Sequence, residues 1–162
     1  MTSYVHCYCD RCNYDLPDIL VVHKDRPDWQ RGRINLCGGR IEEGETPLEA
    51  AKRELKEEAG YDAYRCEVYG MMKDRDFTIY CVCCESQEFE NKNPLPRQGE
   101  TEKVEWIPLE ILLTDERLLP NLQVIIPLMR VGIRDWIIED CVDSHREKTH
   151  KLSITVSTHA RN

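Results

Sequence analysis

The chain has 162 residues, 41% of them hydrophobic and 32% charged, which is enough apolar material for one compact core. Its formal net charge of −8 disfavours tight, nonspecific adhesion to nucleic-acid backbones, which depends on many Lys and Arg contacts. No apolar run approaches the ~20 residues of a membrane span and no export signal is visible, so a cytoplasmic protein with no membrane partner is expected.

In chain order, residues 4–9 and 19–23 read as strands separated by a polar turn at 13–18, a hairpin. Residues 24–33 are polar and contain Pro27. A short strand at 34–36 then delivers Gly38-Gly39, where absent side chains let the backbone approach a bound ion closely. Thr46 can cap a helix, Pro47 presets φ at its first position, and Glu49 can complete a capping box. Gly60 can take the left-handed conformation that ends it, which predicts a helix over residues 47–59. Leu48, Ala51, Leu55 and Ala59 form its apolar stripe.

Strands follow at 65–72 and 77–85, with a charged turn at 73–76 between them. A loop rich in Asn and Pro covers 87–99. A strand at 104–107, a short helix at 109–113, a helix at 122–131 carrying Pro127 and a closing strand at 135–139 complete a single domain over residues 1–144. Residues 145–162 form a tail with four Lys or Arg and one Glu, in which Leu152, Ile154 and Val156 alternate as a strand would. Such a strand could pair with a sheet edge or with a second subunit in a homodimer, while the composition equally fits a disordered tail.

Nine cysteines, an odd count, point to reduced thiols in a chain without an export signal. Cys9-x-x-Cys12 and Cys81-x-x-Cys84 have zinc-knuckle spacing. Both pairs lie in segments of strand-like alternation, however, where cysteine serves as a small hydrophobe.

Glu54, Glu57 and Glu58 stand at i, i+3 and i+4, so their carboxylates crowd one side of the helix. Like charges at this spacing repel, and in a partly buried cleft the conflict calls for a cation. Ligands that are all oxygen suit Mg²⁺ or Mn²⁺. Arg53 can pair with Glu45 and fix the loop that leads into the helix. A solvated amphipathic helix would explain the charge, but not the Gly-Gly turn, the cap and the Glu45 and Arg53 spacing together.

The stretch Gly39, five residues, Glu45, seven residues, Arg53-Glu54-Leu55-x-Glu57-Glu58-x-Gly60-Tyr61 resembles the signature of the Nudix (MutT-like) hydrolases. Tyr61 departs from its final aliphatic position, and Cys37 stands where many members carry proline; neither removes a charged group. The resemblance implies an α/β fold, the Nudix-type α/β/α sandwich with a mixed sheet flanked by helices. It also implies metal-dependent hydrolysis of the diphosphate linkage in a small nucleotide substrate. In those terms Glu54, Glu57, Glu58 and the Gly38 carbonyl would bind Mg²⁺ (or Mn²⁺), with Glu45 and Arg53 orienting them. The general base would be a glutamate of the box or one from a later loop, where Glu100 and Glu102 are better placed than Glu105. Asn121 occupies a position similar to that of a base-reading asparagine, though it could equally be a helix cap. Trp29, Phe77 and Tyr80 are stacking candidates for a base, and Arg31, Arg33, Lys73 and Arg75 for outer phosphates. Cleavage of a nucleoside triphosphate to monophosphate and pyrophosphate is favoured over ADP-ribose, nucleotide-sugar, dinucleoside polyphosphate or RNA-cap cleavage. A Nudix module that binds a nucleotide without cleaving it is a further alternative.

Overall fold

The computed structural model describes residues 1–13, 16–139 and 153–156. The chain runs β1 (Thr2–Tyr8), β2 (Asp10–Asn13), β3 (Leu16–His23), β4 (Ile34–Asn35), α1 (Pro47–Ala59), β5 (Arg65–Lys73), β6 (Phe77–Glu85), β7 (Lys103–Pro108), α2 (Leu109–Leu112), α3 (Leu122–Arg130), β8 (Trp136–Glu139) and β9 (Ser153–Val156). The strands build two sheets. One has the order β1-β6-β5-β8-β9, with β1 parallel to β6 and β8 parallel to β5; in the other, β3 pairs antiparallel with β2, β4 and β7. A single residue, Cys9, separates β1 from β2, so one extended run passes from the first sheet into the second.

The sheets lie between two apolar layers. Strand alternation sends Val5, Cys7, Cys9, Leu20 and Val82 toward α1, where Ala50, Ala51, Leu55 and Ala59 meet them. Tyr8, Ile19, Val21 and Cys81 point the other way, toward α3 and Trp136. In β5 the register shifts between Val68 and Gly70. The extra residue turns the strand over, so Cys66 and Val68 pack on the α1 side while Met72 packs on the α3 side. Trp136 lies over this kink; a Cβ at Gly70 would stand 2.1 Å from its ring.

The hairpin expected around residues 13–18 forms between β2 and β3, with residues 14–15 outside the described ones. Leu48 is exposed rather than part of the buried stripe, and Ala50 takes the inward place in the first turns of α1. β9 pairs antiparallel with β8, Trp136 opposite Val156, while 145–152 and 157–162 lie outside the described residues. No helix among the described residues is long and apolar enough to cross a membrane.

Candidate active site

α1 carries the site because both of its ends are fixed. Thr46 Oγ1 accepts from the Glu49 backbone N–H at 3.3 Å, and the Glu49 carboxylate accepts from the Thr46 N–H at 2.8 Å. At the other end Gly60 has φ +74°, and a Cβ there would stand 2.3 Å from the Leu95 carbonyl oxygen. The loop after β6 is thereby seated against the helix terminus.

Arg53 organises the carboxylates. Its guanidinium makes a two-pronged pair with Glu45, Nε to Oε1 at 2.8 Å and Nη2 to Oε2 at 2.9 Å. It also donates to Glu54 Oε1 at 2.7 Å, to Glu57 Oε2 at 3.5 Å and to the Arg40 carbonyl at 3.0 Å. Loop and helix are thus tied through one planar group.

Gly38 and Gly39 let the preceding turn lie flat on this cluster. β1 clamps it, Val5 N–H to the Gly39 carbonyl at 2.9 Å and Cys7 N–H to the Cys37 carbonyl at 2.8 Å. A Cβ at Gly38 would stand 2.0 Å from the Val5 oxygen, and one at Gly39 would stand 2.3 Å from Glu54 Oε1. The Gly38 N–H donates to Glu58 Oε2 at 2.7 Å. Burial nevertheless pushes the Glu58 carboxyl up to about 7, the nearby Glu54 and Glu102 charges adding to it against the Gly38 bond and the Lys24 ammonium. Burial also raises Glu54, against its bond from Arg53.

Lys24 and Arg97 complete the electrostatics. Lys24 Nζ donates to Glu102 Oε2 at 2.5 Å, and Glu102 Oε1 accepts from the Asp25 and Arg26 N–H groups at 2.8 and 3.2 Å. Burial would raise Glu102, but these donors outweigh it and hold the carboxyl below its ordinary value. Arg97 donates to Glu57 Oε1 at 3.1 Å, while its backbone N–H reaches the Glu57 carbonyl at 2.7 Å.

Cavities flank the carboxylates. One of about 480 Å³ opens beside Gly38 and Gly39, between Trp29 and Phe77, with His6, Lys24, Gln30 and Asn35 in its walls. Burial, then Lys24, lower His6 to about 4, so its ring is neutral at pH 7, and its Nδ1 is buried without a partner. The other, of about 600 Å³, is lined by Arg53, Lys56, Glu57, Lys92 and Arg97 together with Gly60, Leu95 and Pro96.

A family profile described as the NUDIX domain matches residues 5–129. The chain belongs to the Nudix pyrophosphohydrolase family. Over 118 residues it is 29% identical to the 8-oxo-dGTP diphosphatase of Escherichia coli strain K12, a span covering 70% of this chain and 88% of that protein. The MutT protein from Bacillus halodurans superposes with a TM-score of 0.65 at 21% identity, covering 86% of this chain and 88% of that one. The NUDIX domain of Shewanella oneidensis NrtR, complexed with ADP ribose, gives 0.66 at 17% identity, covering 80% and 86%. These structures share the α/β Nudix fold with the present chain.

Nudix enzymes typically use a divalent metal. Among the described residues no group of three or more His, Cys, Asp or Glu is arranged to hold one; Arg53 and Arg97 pair with Glu54 and Glu57 instead. The chemistry of the donors fits a hard cation all the same. Glu54 and Glu58 are both raised, so each would ionise more readily beside additional positive charge, and the turn that faces them has no room for a side chain.

Other sequence expectations sort by position. Trp29 and Phe77 line the cavity beside the turn, but Tyr80 packs on the α1 side of the sheet, because residues three apart on a strand face opposite ways. Arg31 is spent on Asp28 at 2.6 Å and Arg33 on the Glu116 carbonyl at 3.2 Å; neither lines a cavity described above. Asn121 makes no capping bond and donates to Met72 Sδ at 3.3 Å, one strand behind the cavity wall formed by Ile79. Glu102 is immobilised by three donors instead of swinging on a loop. Glu100 sits in the loop, its N–H on the Arg97 carbonyl at 3.0 Å and its carboxylate 3.8 Å from Arg26, and Glu105 is paired with His23 at 2.6 Å. Cys81 and Cys84 face opposite sides of β6, and Cys9 is buried while Cys12 is exposed, so neither knuckle closes. Lys24, Arg97 and His6 stand outside every motif of the sequence. Lys24 directly follows a strand end, the one local signal available for any of the three.

Proposed function

We propose that this Nudix enzyme hydrolyses a nucleoside triphosphate to the monophosphate and pyrophosphate. The observation that carries this reading is the cavity beside the Gly38-Gly39 turn, aromatic on two sides and next to the carboxylates. Its size suits one nucleobase and sugar, with the phosphates passing over the turn. The similarity to an enzyme named 8-oxo-dGTP diphosphatase supports a purine nucleotide.

In this reading Glu54, Glu57 and Glu58, with the Gly38 carbonyl, would hold Mg²⁺. When bound, the ion supplies positive charge to the diphosphate and acidity to water. Glu45 holds the Arg53 fork, and Arg53 in turn aims Glu54. Lys24, fixed by Glu102, moderates the charge on Glu58. Arg97, which pairs with Glu57 at the mouth of the site, would be placed to meet a phosphate oxygen. Glu100, the least restrained of the loop glutamates, accepts the proton of the attacking water at its carboxylate. The reading is tested by product analysis on a nucleotide panel with Mg²⁺, in wild type and Trp29→Ala. Monophosphate and pyrophosphate are expected, with KM raised about tenfold in the variant through lost stacking. Orthophosphate as the first product, or an unchanged KM, would refute it.

The charge state of Glu58 gives a second test. Its folded pKa lies above its ordinary value of 4.5, at about 7, so the folded state holds the proton more tightly. The resulting stability is fully present below about pH 4.5 and is lost as pH rises toward 7 and beyond. His6 acts in the opposite sense, its neutral burial stabilising the fold as pH rises from about 4 to its ordinary 6.5. The difference between wild type and Glu58→Gln isolates the carboxyl. In chelator, the melting temperature of wild type relative to the variant is expected to fall between pH 5 and 7.5; a constant difference would show that Glu58 titrates normally.

A further inference from the structure

Buried thiols gather under α1 on the side away from the nucleotide cavity. Cys66 on β5 and Cys84 on β6 are direct cross-strand partners, with Sγ atoms 3.3 Å apart. Cys84 is buried in one cluster with Cys7 and Cys9, while Cys66 is half-buried at the edge of the group. Cys7 Sγ also donates to the Ala51 carbonyl of α1 at 3.5 Å. No disulfide joins the cysteines of the described residues.

We propose that Cys66 and Cys84 are an oxidation site, closing to a reversible cross-strand disulfide when a peroxide reaches the Cys66 side. Opposed residues on antiparallel strands hold their Cβ atoms about 4.5–5.5 Å apart, and a disulfide needs about 3.5–4.5 Å, so the strands need approach only slightly. In the closure two S–H bonds break and one S–S bond forms. The two electrons and two protons pass to hydrogen peroxide, whose O–O bond breaks to give two waters. Cys66, half-buried at the edge of the group, is the thiol the oxidant meets first, and the Cys84 sulfur 3.3 Å away is placed to close the bond onto it. The new bond staples the far ends of β5 and β6 and lies outside the Nudix carboxylates, so it adds stability without touching the chemistry.

The experiment uses the full chain with Cys12→Ser, which removes an exposed thiol able to join two molecules. After hydrogen peroxide treatment, intact mass is expected to fall by two hydrogens, and fragmentation of the digest should link Cys66 to Cys84. Dithiothreitol restores the mass, and the oxidised form melts about 5 °C higher. Cys66→Ser or Cys66→Ala added to that background, either folding with an unchanged reduced melting temperature, should abolish mass loss and shift together. Retained hydrogens, a bond mapped to another pair, or gain of oxygen on Cys84 in place of the cross-link would overturn the proposal.

Discussion

Glu57→Gln is expected to lower kcat by about 10²- to 10³-fold, the scale seen when a group aimed at transition-state charge is removed. The substitution keeps the shape of the side chain and removes its charge. Glu57 is more exposed than Glu54, at 32% of its side chain against 13%, so the fold loses little. Its present partners are Arg97 at 3.1 Å and Arg53 at 3.5 Å. Arg53 keeps its bonds to Glu45 and Glu54 without it, and the Arg97 backbone N–H keeps the Glu57 carbonyl. The result is checked by steady-state rates across a Mg²⁺ titration, with the melting temperature as control. A slower enzyme needing more Mg²⁺ at an unchanged melting temperature places Glu57 on the cation. A full rate at the wild-type Mg²⁺ requirement would remove Glu57 from the site.

Arg53→Lys is expected to cost more broadly. An ammonium cannot reproduce two parallel N–H donors to Glu45 while also reaching Glu54 and the Arg40 carbonyl. Glu45 would lose its fork and be held below its ordinary pKa less strongly, since the Arg53 bond is the main cause of that lowering. Glu54, already raised by burial, would rise further without the guanidinium bond that now lowers it. Denaturant melts should show a loss of about 2 kcal/mol, from charged hydrogen bonds removed at a partly buried site. The rate should drop at least about tenfold as the aim of Glu54 is lost. The signature separating positioning from mere folding is the pH profile: the acidic limb of kcat should move to higher pH in Arg53→Lys and stay put in Glu57→Gln. Identical profiles would mean that Arg53 serves stability alone.

What could be read from the chain depended on distance along it. α1 was legible to the residue because its signals are local: a Thr and Glu three apart, a proline at the first position and a glycine at the end. Glu45 and Arg53 were legible as a pair because the loop between them is short. Lys24 was not, since its place beside Glu58 depends on β3 pairing with β7 and on Glu102 arriving 78 positions later in the chain. Arg97 reaches Glu57 only because the loop after β6 docks on Gly60. Parity places Phe77 and Tyr80 on opposite faces of one strand, but which of them meets the cavity depended on how the sheets stack. The kink in β5 was hidden, since a single extra residue leaves no compositional mark.

The passage of one backbone through Cys9 ties events in the two sheets together. Upstream of it, Val5 and Cys7 grip the glycine turn; downstream, the same run pairs with the strand whose end presents Lys24. A small slip between the sheets would therefore move the floor of the acidic cluster and its nearest ammonium in different directions at once. Catalytic competence is on that account a more sensitive gauge of how well the two sheets fit than any measure of secondary structure, and gentle warming should silence the enzyme while both sheets still stand.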